Sequence, residues 1–217
     1  MKFLTFAAVC MIFIFPLLIF LSVFKYSSFD NAFYKEKFSE YNVKQDVPEA
    51  SSLHQKIIDF VGGKSESAPA ELNEREQQHL RDVRKVMKIA TIVFYFLIAF
   101  FALLLISSAF ILKINGYLTN FIGKVMVFGS FLTIILAVAL FFLITSDFSA
   151  TFESFHKLFF DKGTYLFNPS TDVIVRLYPE QLFQDLGSRI SEGVIVSSII
   201  LTALGSLFMF NSKPRKN

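Results

Sequence analysis

The sequence has no tryptophan, a single cysteine and only three histidines in 217 residues. Each scarcity excludes something. One cysteine, Cys10, cannot form a disulfide within its own chain. It also lies inside an apolar run, whereas a reactive thiolate needs an electropositive, partly exposed setting. Nor is 6–10 a lipoprotein processing box, because Val9 is bulky and the apolar run continues well past the cysteine. With no tryptophan, any aromatic belt at a membrane surface falls to the seven tyrosines. Internal repeats and low-complexity tails are also missing.

Charge is missing from four long stretches. Residues 3–24 carry none, a run too long for the core of a signal peptide and long enough to cross the hydrocarbon layer of about 30 Å. Pro16 is tolerable there as a kink. Residues 89–112, 125–145 and 193–210 are the other candidate spans. The third offers Gly129 and Ser130 for close helix packing, and the fourth offers Ser197, Ser198, Ala203, Gly205 and Ser206. With 53% hydrophobic residues, the excess over a soluble domain is concentrated in these runs, which is the membrane signature.

Four spans put both termini on one side, together with the 113–124 loop. That side holds Lys2, Lys113, Lys124, Lys213, Arg215 and Lys216 and no acid. Segment 25–88 holds eleven basic and eleven acidic residues, and segment 146–192 four basic and seven acidic. The positive-inside rule therefore predicts cytoplasmic termini and two extracytoplasmic segments. The expected fold is an all-α membrane protein of one membrane domain, 1–217. Its four transmembrane helices carry a small mixed extracytoplasmic cap formed by two long loops.

The first outer segment interleaves aromatic and charged residues. Phe29, Phe33, Tyr34 and Phe38 have helical spacing that also suits short strands, and the bland reading is an amphipathic stretch lying on the bilayer or on the second outer loop. Gly62–Gly63–Lys64–Ser65 lacks the spacing of a phosphate loop. Residues 65–69 read as a loop. From 71 to 88 the chain is a strong helix former, with Asn73 and Glu76 spaced as a capping box, and this helix runs straight into the second span. In the second outer segment 149–161 reads as helix, 161–163 as a turn, 165–168 and 173–177 as short strands, and 179–186 as a helix with Pro179 in its first turn. Aliphatic content in these segments is too low for an independent core, so they are expected to be continuous with the bundle.

Two of the three histidines share a pattern. Glu76-x-x-His79 and Glu153-x-x-His156 have identical spacing, and each stands on a predicted helix just outside a span. Three readings compete. Such pairs are half of a carboxylate-bridged dimetal site, whose other half would need Glu74, Asp82 or Asp147. They also suit acid–base catalysis without metal, since an imidazole takes and returns protons near neutral pH, with carboxylates fixing the tautomer. The bland reading is that they are ordinary polar residues near a membrane surface, and His54 keeps it.

Residues 72–76, followed by His79–Leu80–Arg81–Asp82–Val83, resemble the segment before the second span of the lipoprotein intramolecular transacylase (Lit) family of integral membrane proteins. The resemblance continues through Phe152, Phe155, His156, Leu158, Phe159 and Phe160. It then takes in Asp172, Ile174, Tyr178, Pro179, Glu180 and Phe183. One departure is Tyr165, where the family pattern leads one to expect tryptophan. The resemblance implies a membrane acyltransferase that moves the sn-2 acyl chain of a diacylglyceryl lipoprotein to the amine of its N-terminal cysteine, with neither cofactor nor metal. It implies His79 and His156 as the catalytic pair and Glu76, Asp82 and Glu153 as orienters. Asn73 and Arg176 are candidates for carbonyl or head-group contact. The implied partners are membrane lipid and the diacylglyceryl-modified lipoprotein, with no nucleic acid, and the implied location is the plasma membrane with the active face outside. The rival functions are a non-enzymatic lipid- or partner-binding membrane protein and a metal-dependent membrane hydrolase.

Overall fold

The computed structural model describes residues 2–112, 116–160 and 163–212. Lys113, Lys213, Arg215 and Lys216, four of the cations behind the predicted topology, lie outside them, as do Asp161 and Lys162 of the predicted turn. The described elements are all helices: α1 (Lys2–Ser28), α2 (Asn31–Glu40), α3 (Val43–Asp46), α4 (Ala50–Val61), α5 (Glu74–Leu112), α6 (Gly116–Ser146), α7 (Phe148–Phe159), α8 (Val173–Leu177) and α9 (Glu180–Asn211). Four of them, α1, α5, α6 and α9, are long and apolar enough to cross a membrane.

The chain divides into two compact units, one of Met1–Phe24, Ile92–Phe142 and Arg189–Asn217, the other of Lys25–Thr91 and Leu143–Ser188. The first is built from the apolar helices. Ala7, Met11, Ile14, Leu104 and Val125 form its buried cluster, with Phe100, Phe101 and Phe121 packed against it. Large residues such as Phe6, Phe13, Phe96 and Phe110 stay exposed, as expected of a surface that meets acyl chains. Helices in lipid gain little from burying apolar surface against each other, so they rely on close approach. Gly123 of α6 and Gly205 of α9 show it, since a Cβ on Gly123 would stand 2.7 Å from the Gly205 carbonyl oxygen.

The second unit has a core of its own. Phe33, Tyr34, Phe38, Val43, Leu53, Ile57, Phe60, Leu72, Leu80, Ile174, Leu177 and Leu182 are buried in it. This corrects the expectation that the outer segments lack such a core: eight of these residues are aliphatic, gathered from both outer segments, and the rings of Phe33, Tyr34, Phe38 and Phe60 add bulk. The strands of the predicted mixed cap are also corrected. Residues 173–177 form α8, 165–168 form no strand, and no strand occurs among the described residues. Val-Ile-Val favours a strand by propensity, but such preferences yield to tertiary context. Here the backbone N–H of Ile174 donates to Glu76 Oε1 at 2.7 Å, which anchors a single helical turn. The helix expected over 179–186 does not stop but continues through the fourth apolar run as α9.

Local signals held where they were strongest. Asn73 and Glu76 form the capping box: the Asn73 N–H donates to Glu76 Oε2 at 2.8 Å, and the Glu76 N–H donates to Asn73 Oδ1 at 3.0 Å. The helix they start runs unbroken for 39 residues. Gly63, at φ +82°, ends α4 in the left-handed conformation that glycine adopts without strain. The Gly62–Ser65 stretch is thus a helix stop.

Candidate functional site

His79 sits on α5, just under one turn past the capping box, and His156 sits near the end of α7. Their sequence separation is large, yet the two imidazole rings lie 6.1 Å apart centre to centre and nearly parallel, 21° between planes. The two rings are thus near enough to meet one bound group.

The rings are held in an aromatic setting. His79 meets Phe160 at 4.9 Å and Phe167 edge-on at 5.3 Å. His156 meets Phe152 at 4.2 Å, Tyr165 at 5.0 Å and Phe160 at 5.4 Å. Burial disfavours the imidazolium. It pushes His79 down to about 4, helped by the neighbouring His156 ring and opposed by Asp82. His156 is also lowered by burial, against the opposing effect of its bond to the Phe152 carbonyl. Both rings are neutral at pH 7.

The tautomer of His156 follows from its one backbone contact. Nδ1 lies 2.8 Å from the Phe152 carbonyl oxygen. A carbonyl only accepts, so Nδ1 carries the proton and Nε2 carries the lone pair. His79 is 7% exposed, and its Nδ1 is buried with no hydrogen-bond partner. Leaving a buried polar atom unmatched costs about 1–3 kcal/mol, and the same holds for His54 Nε2, Asn31 Oδ1 and Ser130 Oγ.

The predicted supporting residues divide. Asp82 stands close enough to His79 to act on its charge, while its carboxylate accepts from Lys85 at 3.0 Å and Gln78 at 3.4 Å. Glu76 is buried, but its oxygens accept from the backbone of Asn73 and Ile174. Glu153 is exposed and pairs with Lys157 at 2.7 Å. Asn73 donates to Asp172 at 2.9 Å, and Arg176 donates to the Asp172 carbonyl oxygen at 3.2 Å. Neither Glu-x-x-His pair makes a shared ligand set, and no metal-holding group of three or more His, Cys, Asp or Glu side chains forms among the described residues.

Asp172 was missed as a site residue, although it lay in the resembling motif. Its buried carboxylate takes the Arg75 guanidinium, Asn73 Nδ2 and, at 2.6 Å, the Asn168 N–H. The Asn168 bond leads in holding its pKa below the usual carboxylate range. Phe167, also missed, belongs to this arrangement. No local spacing signals either residue, because their partners are nearly a hundred positions away. His54 behaves as the bland reading expects. It is buried beside Tyr34 and Phe38, with Nδ1 2.8 Å from the Tyr178 hydroxyl, and burial lowers it to about 4.

The family model of the lipoprotein intramolecular transacylase Lit matches residues 7–183. The chain belongs to the Lit family. This span includes both histidines, Asp172 and the Tyr178–Pro179–Glu180 segment. No curated protein matches the chain. Among solved structures it is similar to the membrane integral lipoprotein intramolecular transacylase Lit from Bacillus cereus, at 20% identity and a TM-score of 0.85, with 97% of each chain covered. It is also similar to two single-histidine variants of that protein, one with arginine and one with alanine in place of the histidine. Both are at 20% identity and a TM-score of 0.79 and cover 97% of this chain, with 93% and 95% of the other chains covered. These likenesses extend the Lit fold to nearly the whole chain, beyond the matched residues.

Proposed function

We propose that this protein is an extracytoplasmic-face transacylase of the plasma membrane. It moves the sn-2 acyl chain of a diacylglyceryl lipoprotein onto the α-amine of that lipoprotein's N-terminal cysteine. The observation that carries the reading is the approach of His79 and His156, two desolvated neutral imidazoles, in a member of the Lit family.

The chemistry needs one base and one acid. The substrate amine, with a pKa near 8, must be neutral to attack. Its nitrogen adds to the ester carbonyl carbon, and the proton it then sheds passes to His156 Nε2, the lone-pair nitrogen. The carbon–oxygen bond to glycerol breaks, and the departing oxygen takes a proton from the imidazole pair. An amide forms, an ester is lost, and a free sn-2 hydroxyl remains. No water enters and no outside acyl donor is needed. Amine and ester belong to one molecule, so holding them in place supplies much of the rate. Two stacked imidazoles do not both hold a proton at low cost, so the pair works as a single-proton shuttle.

In this reading the termini are cytoplasmic and segments 25–88 and 146–192 lie outside, with 3–24, 89–112, 125–145 and 193–210 in the hydrocarbon layer. Diacylglycerol chains stay in the outer leaflet while the cysteine amine reaches the histidines. Exposed Phe155, Leu158 and Phe159 beside His156 suit such a contact.

The test is expression in a bacterium that makes only diacylated lipoproteins, followed by fragmentation mass spectrometry of their N-terminal peptides. Substrate and product are isomers, so total mass is unchanged. The expected result is one acyl chain on the amine and one on glycerol. Peptides with free amines and two glycerol-bound chains, from a well-expressed protein, would overturn the reading.

A further inference from the structure

We propose that Asp172 and Arg75 are positioning residues for His79, acting through the Phe167 ring to hold the imidazole dry and in one orientation. This rests on the reading of His79 as one of the reacting pair. On α5, Arg75 and His79 stand four residues apart, so they occupy one face in adjacent turns. The Arg75 guanidinium carbon lies 5.5 Å from the centre of the Phe167 ring, and the same ring meets His79 edge-on at 5.3 Å. Phe167 is therefore clamped between the cation and the imidazole.

Asp172 sets both sides of this clamp. One carboxylate oxygen binds Arg75 Nη2 and also takes the Asn168 N–H, the amide adjacent to Phe167. The other oxygen takes Asn73 Nδ2, at the start of α5. A single buried carboxylate thus fixes the backbone that carries Phe167 and the guanidinium that covers it. An arginine suits the task because its planar, weakly hydrated group stacks on a ring, which an ammonium does less well.

The consequence is electrostatic. His79 is faced by His156 and Phe160 from the second outer segment, by Asp82 on its own helix, and by Phe167 with Arg75 behind it. Burial is the largest cause of its low basicity, and Phe167 is one of the two rings beside His156 that supply that burial. If the clamp loosens, water reaches the ring and His79 regains basicity.

Asp172→Ala strips three donors of their acceptor and threatens folding, so Arg75 and Phe167 carry the test. Histidine-labelled protein in lipid nanodiscs is titrated by NMR, with the three ring signals assigned by single substitution, and transacylation kinetics are run in parallel. In the wild type the His79 midpoint is expected near 4, lowered by burial. Arg75→Gln and Phe167→Leu are expected to raise its midpoint by about one unit. They should lower kcat roughly ten- to hundredfold, the scale of a misplacement of about 1 Å, with KM within about twofold. Arg75→Lys keeps the charge but not the planar group and should behave like Arg75→Gln. Phe167→Tyr keeps the ring and should restore both readouts. An unchanged His79 midpoint and wild-type kcat in Arg75→Gln and Phe167→Leu would overturn the proposal. A shifted midpoint in a protein whose wild type transfers no acyl chain would uphold the clamp and count against the transacylase reading instead.

Discussion

The two compact units of this chain are held together by opposite means. In the apolar one, buried positions go to small or self-satisfied residues. Ser108, Thr133 and Ser198 each donate to a carbonyl one turn back in their own helix, and Gly123 and Gly205 bring two backbones together. Large Phe and Leu side chains face outward. In the other unit Phe33, Tyr34, Phe38 and Phe60 are inside, and among the described residues the buried carboxylates Glu76 and Asp172 have partners far away in sequence. Glu76 reaches Ile174, Arg75 reaches Asp172, and Tyr41 donates to Asp185. Lipid gives helices little reason to hide apolar surface, so close fit and internal hydrogen bonds do the holding. Water drives rings inward and then demands that each buried polar atom be matched. His79 Nδ1, His54 Nε2 and Asn31 Oδ1 are the unmatched exceptions in this unit, and of these His79 Nδ1 belongs to the paired rings.

The sharpest way to separate the units is to remove the chemistry without touching the bundle. His79→Ala and His156→Ala are each expected to lower the transacylation rate by about 10²- to 10⁴-fold, the contribution of a positioned acid–base group. Membrane insertion and the hydrogen-exchange protection of α1 and α6 should stay as in the wild type. Near-normal rates in either variant would leave the paired rings without a catalytic part. The wild-type rate should climb towards pH 8 as the substrate amine loses its proton. His79 should contribute no break near 6.5, because burial lowers it to about 4.

Acid should also distinguish the two units. Burial lowers His54 and His79 to about 4, whereas in the unfolded chain each would titrate near 6.5. The unfolded state then binds more protons between these values, so stability falls as pH drops through that window and is complete above it. The loss between pH 7 and pH 5 is about 2 kcal/mol for each histidine, as an order of magnitude. Hydrogen exchange should quicken first in α2, α4 and the start of α5, before the apolar helices. Simultaneous loss of protection in both units would show that acid acts elsewhere.

Glu76→Gln probes the smaller scale. Glutamine keeps one acceptor oxygen, so either the Asn73 or the Ile174 amide loses its partner, at a cost of about 1–3 kcal/mol. A thermal shift confined to the second unit is expected, and an unshifted one would mean that another acceptor replaces the lost oxygen. Glu76 also shows what was legible in the sequence. The capping box spans three residues and could be read directly, as could the four apolar runs and the helix through 71–88, because their causes are local. The Glu76–Ile174 bond spans ninety-eight residues, and with it went the true nature of 173–177, read as a strand from its β-branched run. The Asp172 cluster and the His54–Tyr178 contact were hidden for the same reason. The approach of the two histidines was reachable only through the family resemblance, since spacing offered two similar motifs but nothing that joined them.

The smallest effect is expected where spacing was most persuasive. Glu153 precedes His156 by the same interval as Glu76 precedes His79, which suggests a carboxylate orienting each imidazole. The structure separates the two cases. His156 Nδ1 is already committed to the Phe152 carbonyl, and Glu153 turns to Lys157 with more than half of each side chain exposed. An exposed pair of this kind adds little to stability and is screened by salt. Glu153→Ala should therefore leave kcat, KM and the unfolding temperature within error, at low and at physiological ionic strength alike. A tenfold loss of kcat with KM unchanged would mean that the carboxylate swings to the imidazole when substrate binds. The tautomer of His156 would then be set by the reaction cycle and not by the α7 backbone.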